Sequence, residues 1–219
     1  MDGSNFSNNY TCGLYYPGAI TELEPAYTKG YYNNDYPKGC VIHYTAGNYL
    51  SFEDEVKWQK LNKYCYIIIN EHGEVAQNFP INKWGYHAGQ SYWPYDRILH
   101  AVSNKLVGIE VQCAGKLTEK NGSYYTWWGK KVNEENINFY NNYNRNIEKG
   151  AYHAFNEKQI LSLKKLVNWL INNNPNVFKL RNVVGHDEVS PGRKSDPGGS
   201  LGMTMDAFRE SLGFRGFEY

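Results

Sequence analysis

The run Val184-Gly185-His186-Asp187-Glu188-Val189-Ser190-Pro191-Gly192-Arg193-Lys194-Ser195-Asp196-Pro197-Gly198 sets an imidazole, cationic side chains and several carboxylates in a loop that follows a short apolar stretch. Glycine and proline fix the path of such a loop without helix or sheet pairing, which is how a rigid site is built. Working outward, Val41-Ile42-His43-Tyr44-Thr45-Ala46-Gly47 is an apolar, strand-like run that delivers a second imidazole, His43, to a loop edge. Two His and one carboxylate with an open fourth position form a catalytic zinc pattern, and the two runs together suggest such a site.

The 219 residues lie within the single-domain range and can bury a sizeable core. No apolar run approaches the roughly 20 residues that span a bilayer, and the N-terminus lacks the basic and apolar regions of a secretion signal. A soluble protein, cytoplasmic at synthesis and without a membrane partner, is expected. A net charge of +1 offers no bulk attraction to nucleic acid, so a nucleic-acid function is set aside. The 20 Tyr and 6 Trp could supply flat amphipathic surface for sugar or peptide, or simply fill the core. Cys12, Cys40, Cys65 and Cys113 form no CxxC pair. Cys65 and Cys113 read as buried thiols, and Cys12 and Cys40 could pair only in an oxidising compartment.

Strand and helix signals alternate along the chain. Residues 1–37 read as an irregular arm and 38–219 as one catalytic domain. Strands are expected at 40–44, 64–70, 74–79, 106–113 and 182–184, the second and third joined as a hairpin by Glu71-His72-Gly73. Ser51 and Asp54 resemble a capping box opening a helix to about residue 61. Asn156 caps a helix over 157–172, whose Ile160, Leu163, Val167, Leu170 and Ile171 recur at helical spacing. A short helix closes the chain at 205–212. The polar, Asn-rich stretch 116–150, which holds Trp127 and Trp128, reads as a surface insertion.

His43 in VIHYTAG, His87 in GYHAGQSYW, Glu110 in VGIEVQ and the run GHDEVSPGRKSDPG resemble the four signatures of the N-acetylmuramoyl-L-alanine amidase type 2 family, which includes phage amidase-type lysozymes, muropeptide-recycling amidases and peptidoglycan recognition proteins. The likeness extends over about residues 38–212. It implies an α/β fold with a central mixed sheet flanked by helices, one Zn²⁺, and cleavage of the amide between the muramic acid lactyl group and L-Ala. The partner it implies is peptidoglycan or a muropeptide, met by a monomer.

Carried over by that resemblance, His43, His186 and Asp196 are the zinc ligands, a donor set suited to the ion. Asp187 and Glu188 are rival donors, but they adjoin His186 and better suit capping the loop, since a third ligand should approach from the other side of the ion. Glu110 takes the place of the general base or acid, and strand alternation sets it with Gln112 on the face opposite Ile109 and Val111. Lys194 resembles the cation that stabilises the oxyanion, and Tyr64 a tyrosine used near the metal in some branches. His87, Trp93 and Arg193 are candidate substrate contacts, each with a packing or loop-pinning alternative. The setting expected is a phage-type endolysin, with a cytosolic recycling amidase or a non-catalytic recognition module as alternatives.

Overall fold

Short β-branched runs that are apolar throughout, such as Ile67-Ile68-Ile69 and Val107-Gly108-Ile109, belong in a sheet covered on both faces, and that is where they lie. The computed structural model describes residues 13–21, 28–47, 51–62, 67–98, 100–144 and 146–216. In chain order its elements are β1 (Gly30–Tyr31), β2 (Cys40–Tyr44), α1 (Phe52–Asn62), β3 (Ile67–Ile69), β4 (Val75–Gln77), β5 (Lys83–Trp84), β6 (Val107–Val111), β7 (Thr118–Lys120), β8 (Ser123–Tyr125), β9 (Lys131–Val132), β10 (Ile137–Tyr140), β11 (Gly150–His153), α2 (Glu157–Asn173), β12 (Val183–Gly185), α3 (His186–Val189) and α4 (Met205–Ser211), with 3₁₀ turns between them.

The central sheet has the order β12-β2-β6-β3-β4, parallel except for β4, which pairs antiparallel with β3 as the expected hairpin. It is a mixed sheet flanked by helices. Alternation along the strands divides the core in two. Ile42, Ile67, Ile69, Ile109 and Val111 face α2 and α4, meeting Leu163, Leu166, Val167, Leu170 and Phe208. Val41 and Val184 face the segment Ala88 to Leu106, while Ile68 meets Val56 of α1.

Asn156 caps α2 through a full capping box with Gln159, and Ser51 accepts the Asp54 amide at 3.1 Å at the start of α1. Parts of the N-terminal arm are pinned as strand: β1 pairs with β5, and Ile20 bridges Ala76. The stretch 116–150 is more ordered than an irregular insertion. It forms a β7-β8-β9 sheet, and its strand β10 pairs with β11, around a small core of Ala114, Leu117, Val132, Ile137 and Ala151. The device is Asn121-Gly122, both at positive φ (52° and 68°), which closes the two-residue hairpin between β7 and β8. Cys40 and Cys113 are buried free thiols, and Cys12, Cys65 and Tyr64 lie outside the described residues. Among the described residues no helix is long and apolar enough to cross a membrane.

Candidate metal centre

The site forms where parallel strands end, the usual location of a crevice in such sheets. Register sets His43 of β2 beside Glu110 of β6, and Ile42 beside Gly185 of β12, so that His186 emerges next to His43. Position 185 admits only glycine without rearrangement: a Cβ there would lie 2.2 Å from Asp187 Oδ1 and 2.8 Å from Pro197 Cδ. Glu188 Oε2 accepts the Gly185 amide, and the Asp187 amide donates to the Asp196 carbonyl at 2.8 Å. The loop is thereby folded back until its last carboxylate meets both imidazoles.

His43 Nδ1 and His186 Nδ1 each lie 2.9 Å from Asp196 Oδ2, and the three residues are buried. The opposite ring nitrogens fix the tautomers. His186 Nε2 is 3.0 Å from the Ala88 carbonyl, which can only accept, and 3.3 Å from Arg193 Nη2, which can only donate; the shorter contact assigns the proton to Nε2. His87 Nε2 donates likewise to the Leu106 carbonyl at 2.9 Å, which leaves His87 Nδ1 to accept from His43 Nε2 at 3.1 Å. Both Nδ1 atoms of the neutral rings therefore present lone pairs to a carboxylate. Three converging acceptors suit a cation better than hydrogen bonding, and a tetrahedral zinc with bonds of 2.0–2.1 Å would space its donors about 3.3 Å apart. The residues fit the ion.

Electrostatics keeps the donors in ligating form. Burial, reinforced by His186, lowers the His43 pKa to about 4. Burial alone would raise Asp196, but the two imidazoles packed against it, His186 and His43, hold its carboxyl well below the usual range. Burial pushes Glu110 well above that range, with Asp196 and Glu55 adding and Lys194 opposing. Glu110 Oε2 is buried with no hydrogen-bond partner among the described residues, a carboxyl oxygen held in reserve.

These groups line a cleft of about 790 Å³ that includes His43, His186, Asp196, Glu110, His87, Arg193 and Lys194. Lys194 is exposed at its rim, and among the described residues it pairs with neither Asp187 nor Glu188. Glu188 is engaged by Arg209 instead, and Asp187 is buried, its carboxyl raised to about 8 by burial and by Glu188. His87 borders the cleft but also backs His43. Arg193 pins loops: its Nη2 donates to the Ala88 and Gln90 carbonyls and to Ser190 Oγ. Trp93, expected to contact substrate, is instead packed in the core beside Val102 and Leu106, its indole N–H on Asn182 Oδ1. Burial there suits an apolar body with one polar tip. One buried residue near the cleft and one residue lining it were not foreseen. Glu55 of α1 approaches Glu110, and Trp127, 65% exposed, reaches the cleft from the 116–150 stretch with its indole N–H on the Ala46 carbonyl at 2.7 Å.

Solved structures of the same architecture include a selenomethionine derivative of AmpD (20% identity, covering 92% of this chain and 97% of that one, TM-score 0.56). AmiD from E. coli, in complex with anhydro-N-acetylmuramic acid-L-Ala-D-γ-Glu-L-Lys, is 22% identical over 81% of this chain and 58% of its own, with TM-score 0.56. The endolysin amidase LysCS from Clostridium intestinale is 16% identical over 93% and 100%, with TM-score 0.54. Comparison with curated protein sequences yields no significant match. The sequence profile described as N-acetylmuramoyl-L-alanine amidase matches residues 33–199, a span holding both imidazoles, the carboxylate between them and Glu110, and on that match the chain belongs to the N-acetylmuramoyl-L-alanine amidase family.

Proposed function

We propose that the protein is a zinc-dependent N-acetylmuramoyl-L-alanine amidase that hydrolyses the lactyl–L-Ala amide of peptidoglycan, working as a monomer in the manner of a phage-type endolysin. The observation that carries the reading is the convergence of His43 Nδ1, His186 Nδ1 and Asp196 Oδ2 beside Glu110. Bound zinc supplies a Lewis acid for the scissile carbonyl and lowers the pKa of water towards about 7. Glu110 takes the proton from the attacking water and returns it to the leaving amine, and its raised pKa suits a group that must hold that proton between the two steps. Lys194, at the rim, donates to the oxyanion. Tyr64 is the alternative carrier of the proton.

Mass spectrometry of products from intact sacculi and from soluble anhydro-muropeptides tests this. Free peptides headed by L-Ala from sacculi are expected. Turnover of fragments alone would favour the recycling reading. Binding without release would mean a recognition module. Glu110→Gln should keep zinc while losing on the order of 10² to 10⁴ in turnover, and Lys194→Ala about 10² to 10³ in kcat at unchanged zinc content. Near wild-type turnover in Glu110→Gln would transfer the proton role to Tyr64, with Tyr64→Phe then decisive.

A further inference from the structure

A second cleft, of about 800 Å³, opens beside the first, and Gly47 lines both. Two further features join them. Glu110 in the first cleft and Gln112 in the second are alternate residues along one strand line, roughly 6–7 Å apart at strand rise. Trp127 walls the first cleft and Trp128 the second, their rings edge to face at 5.4 Å. A ligand long enough to pass Gly47 meets one wall after the other.

The lining of the second cleft is rich in donors. Lys130 and Lys131 border it, and among the described residues neither side chain makes an ion pair. His153, also in the lining, feels Lys130 and, more weakly and in the opposite sense, Glu71, the one acid of the lining among the described residues. The Ala114 amide donates to His153 Nδ1 at 3.2 Å, so the neutral ring carries its proton on Nε2 and adds another donor. Trp128 adds a flat, amphipathic face. Cations and N–H donors around an aromatic face suit a chain of rings carrying acetamido and lactyl amide carbonyls, with the carboxylates of the stem peptides it bears, and would be wasted on an apolar ligand.

We propose that this second cleft binds the glycan strand where it continues beyond the muramic acid unit being cleaved, so that the 116–150 stretch selects polymer over soluble fragment. The inference rests on the amidase reading above. Its test compares kcat/KM on uncrosslinked glycan–peptide chains of several repeats with kcat/KM on the single-repeat muropeptide, for wild type and for Lys130→Gln/Lys131→Gln. Loss of two charge-assisted contacts should lower the ratio of chain to single repeat by about tenfold or more. Trp128→Leu should lower the same ratio, and because Trp128 also packs on the small core the lysine pair carries the test if that variant fails to fold. An unchanged ratio, or equal loss on both substrates, overturns the proposal. So does a preference that follows peptide-crosslinked dimers instead of glycan length. Absence of wild-type turnover on either substrate defeats the amidase reading alone, since cosedimentation of wild type and variant with purified glycan strands still reads the cleft.

Discussion

A histidine can bind a metal through either ring nitrogen, and here the choice is made by backbone carbonyls. Leu106 fixes His87, His87 fixes His43, and Ala88 fixes His186. His87→Phe keeps the ring volume and removes the acceptor for His43 Nε2–H. It should weaken zinc affinity by about 10- to 100-fold, read by competition with a chromogenic chelator, while leaving one zinc per chain at saturation. His186→Ala should abolish stoichiometric zinc outright. His43, His186, Asp196 and Glu110 could be named from the sequence because each stands in a short motif that resembles a signature of the family. The carbonyls of Ala88 and Leu106 carry no side-chain signature, and Glu55 reads in sequence only as one more acid on an exposed-looking helix. Trp93 illustrates the opposite error, an aromatic beside a motif that is packed into the core with Val102, Leu106 and Tyr95.

At the scale of elements, the central strands and α2 announce themselves through β-branched runs and a 3.6-residue period. The cap on α2 is worth testing: Asn156→Ala removes the acceptor for the Gln159 amide and should cost about 1 kcal/mol in urea unfolding, with activity retained. Leu166→Ala, at the fully buried centre of the same helix, should cost about 2–5 kcal/mol. The 116–150 stretch was harder to read because its strands are only two to four residues long and their polar faces are solvated. Its one strong local signal is Asn121-Gly122. That Trp127 reaches back to Ala46 depends on how two separate sheets pack, which no local pattern encodes.

For the whole molecule, protons enter the stability, and on the zinc reading proposed above the metal does too. Zinc that binds only the folded chain stabilises it by about 4.1 kcal/mol at a thousandfold excess over Kd, so chelation should lower Tm by on the order of 10 °C and added zinc should restore it. Glu55 works through protons. Burial pushes its carboxyl up to about 7 from an ordinary 4.5, with Thr45 and Gln112 opposing. The native state thus holds a proton that the unfolded chain releases above about 4.5, so stability is full below that pH and is lost as pH rises through about 7. Glu55→Gln should raise Tm by several degrees at pH 8 and leave it nearly unchanged at pH 4, measured on chelated protein.

Arg209 of α4 is 1% exposed, and it holds both carboxylate oxygens of Glu188 as well as the Val183 carbonyl. Those two partners flank His186 on either side, in the strand before it and the turn that carries it. The family profile stops at residue 199, yet the guanidinium that braces His186 comes from ten residues further on. The brace therefore comes from beyond the span that the family profile matches: Arg209→Ala keeps every ligand of the proposed zinc and removes the cation that Glu188 and Asp206 share, at a cost of about 3 kcal/mol. That variant should emerge from purification with much less than one zinc per chain, its metal lost to a distant substitution that touches no donor atom.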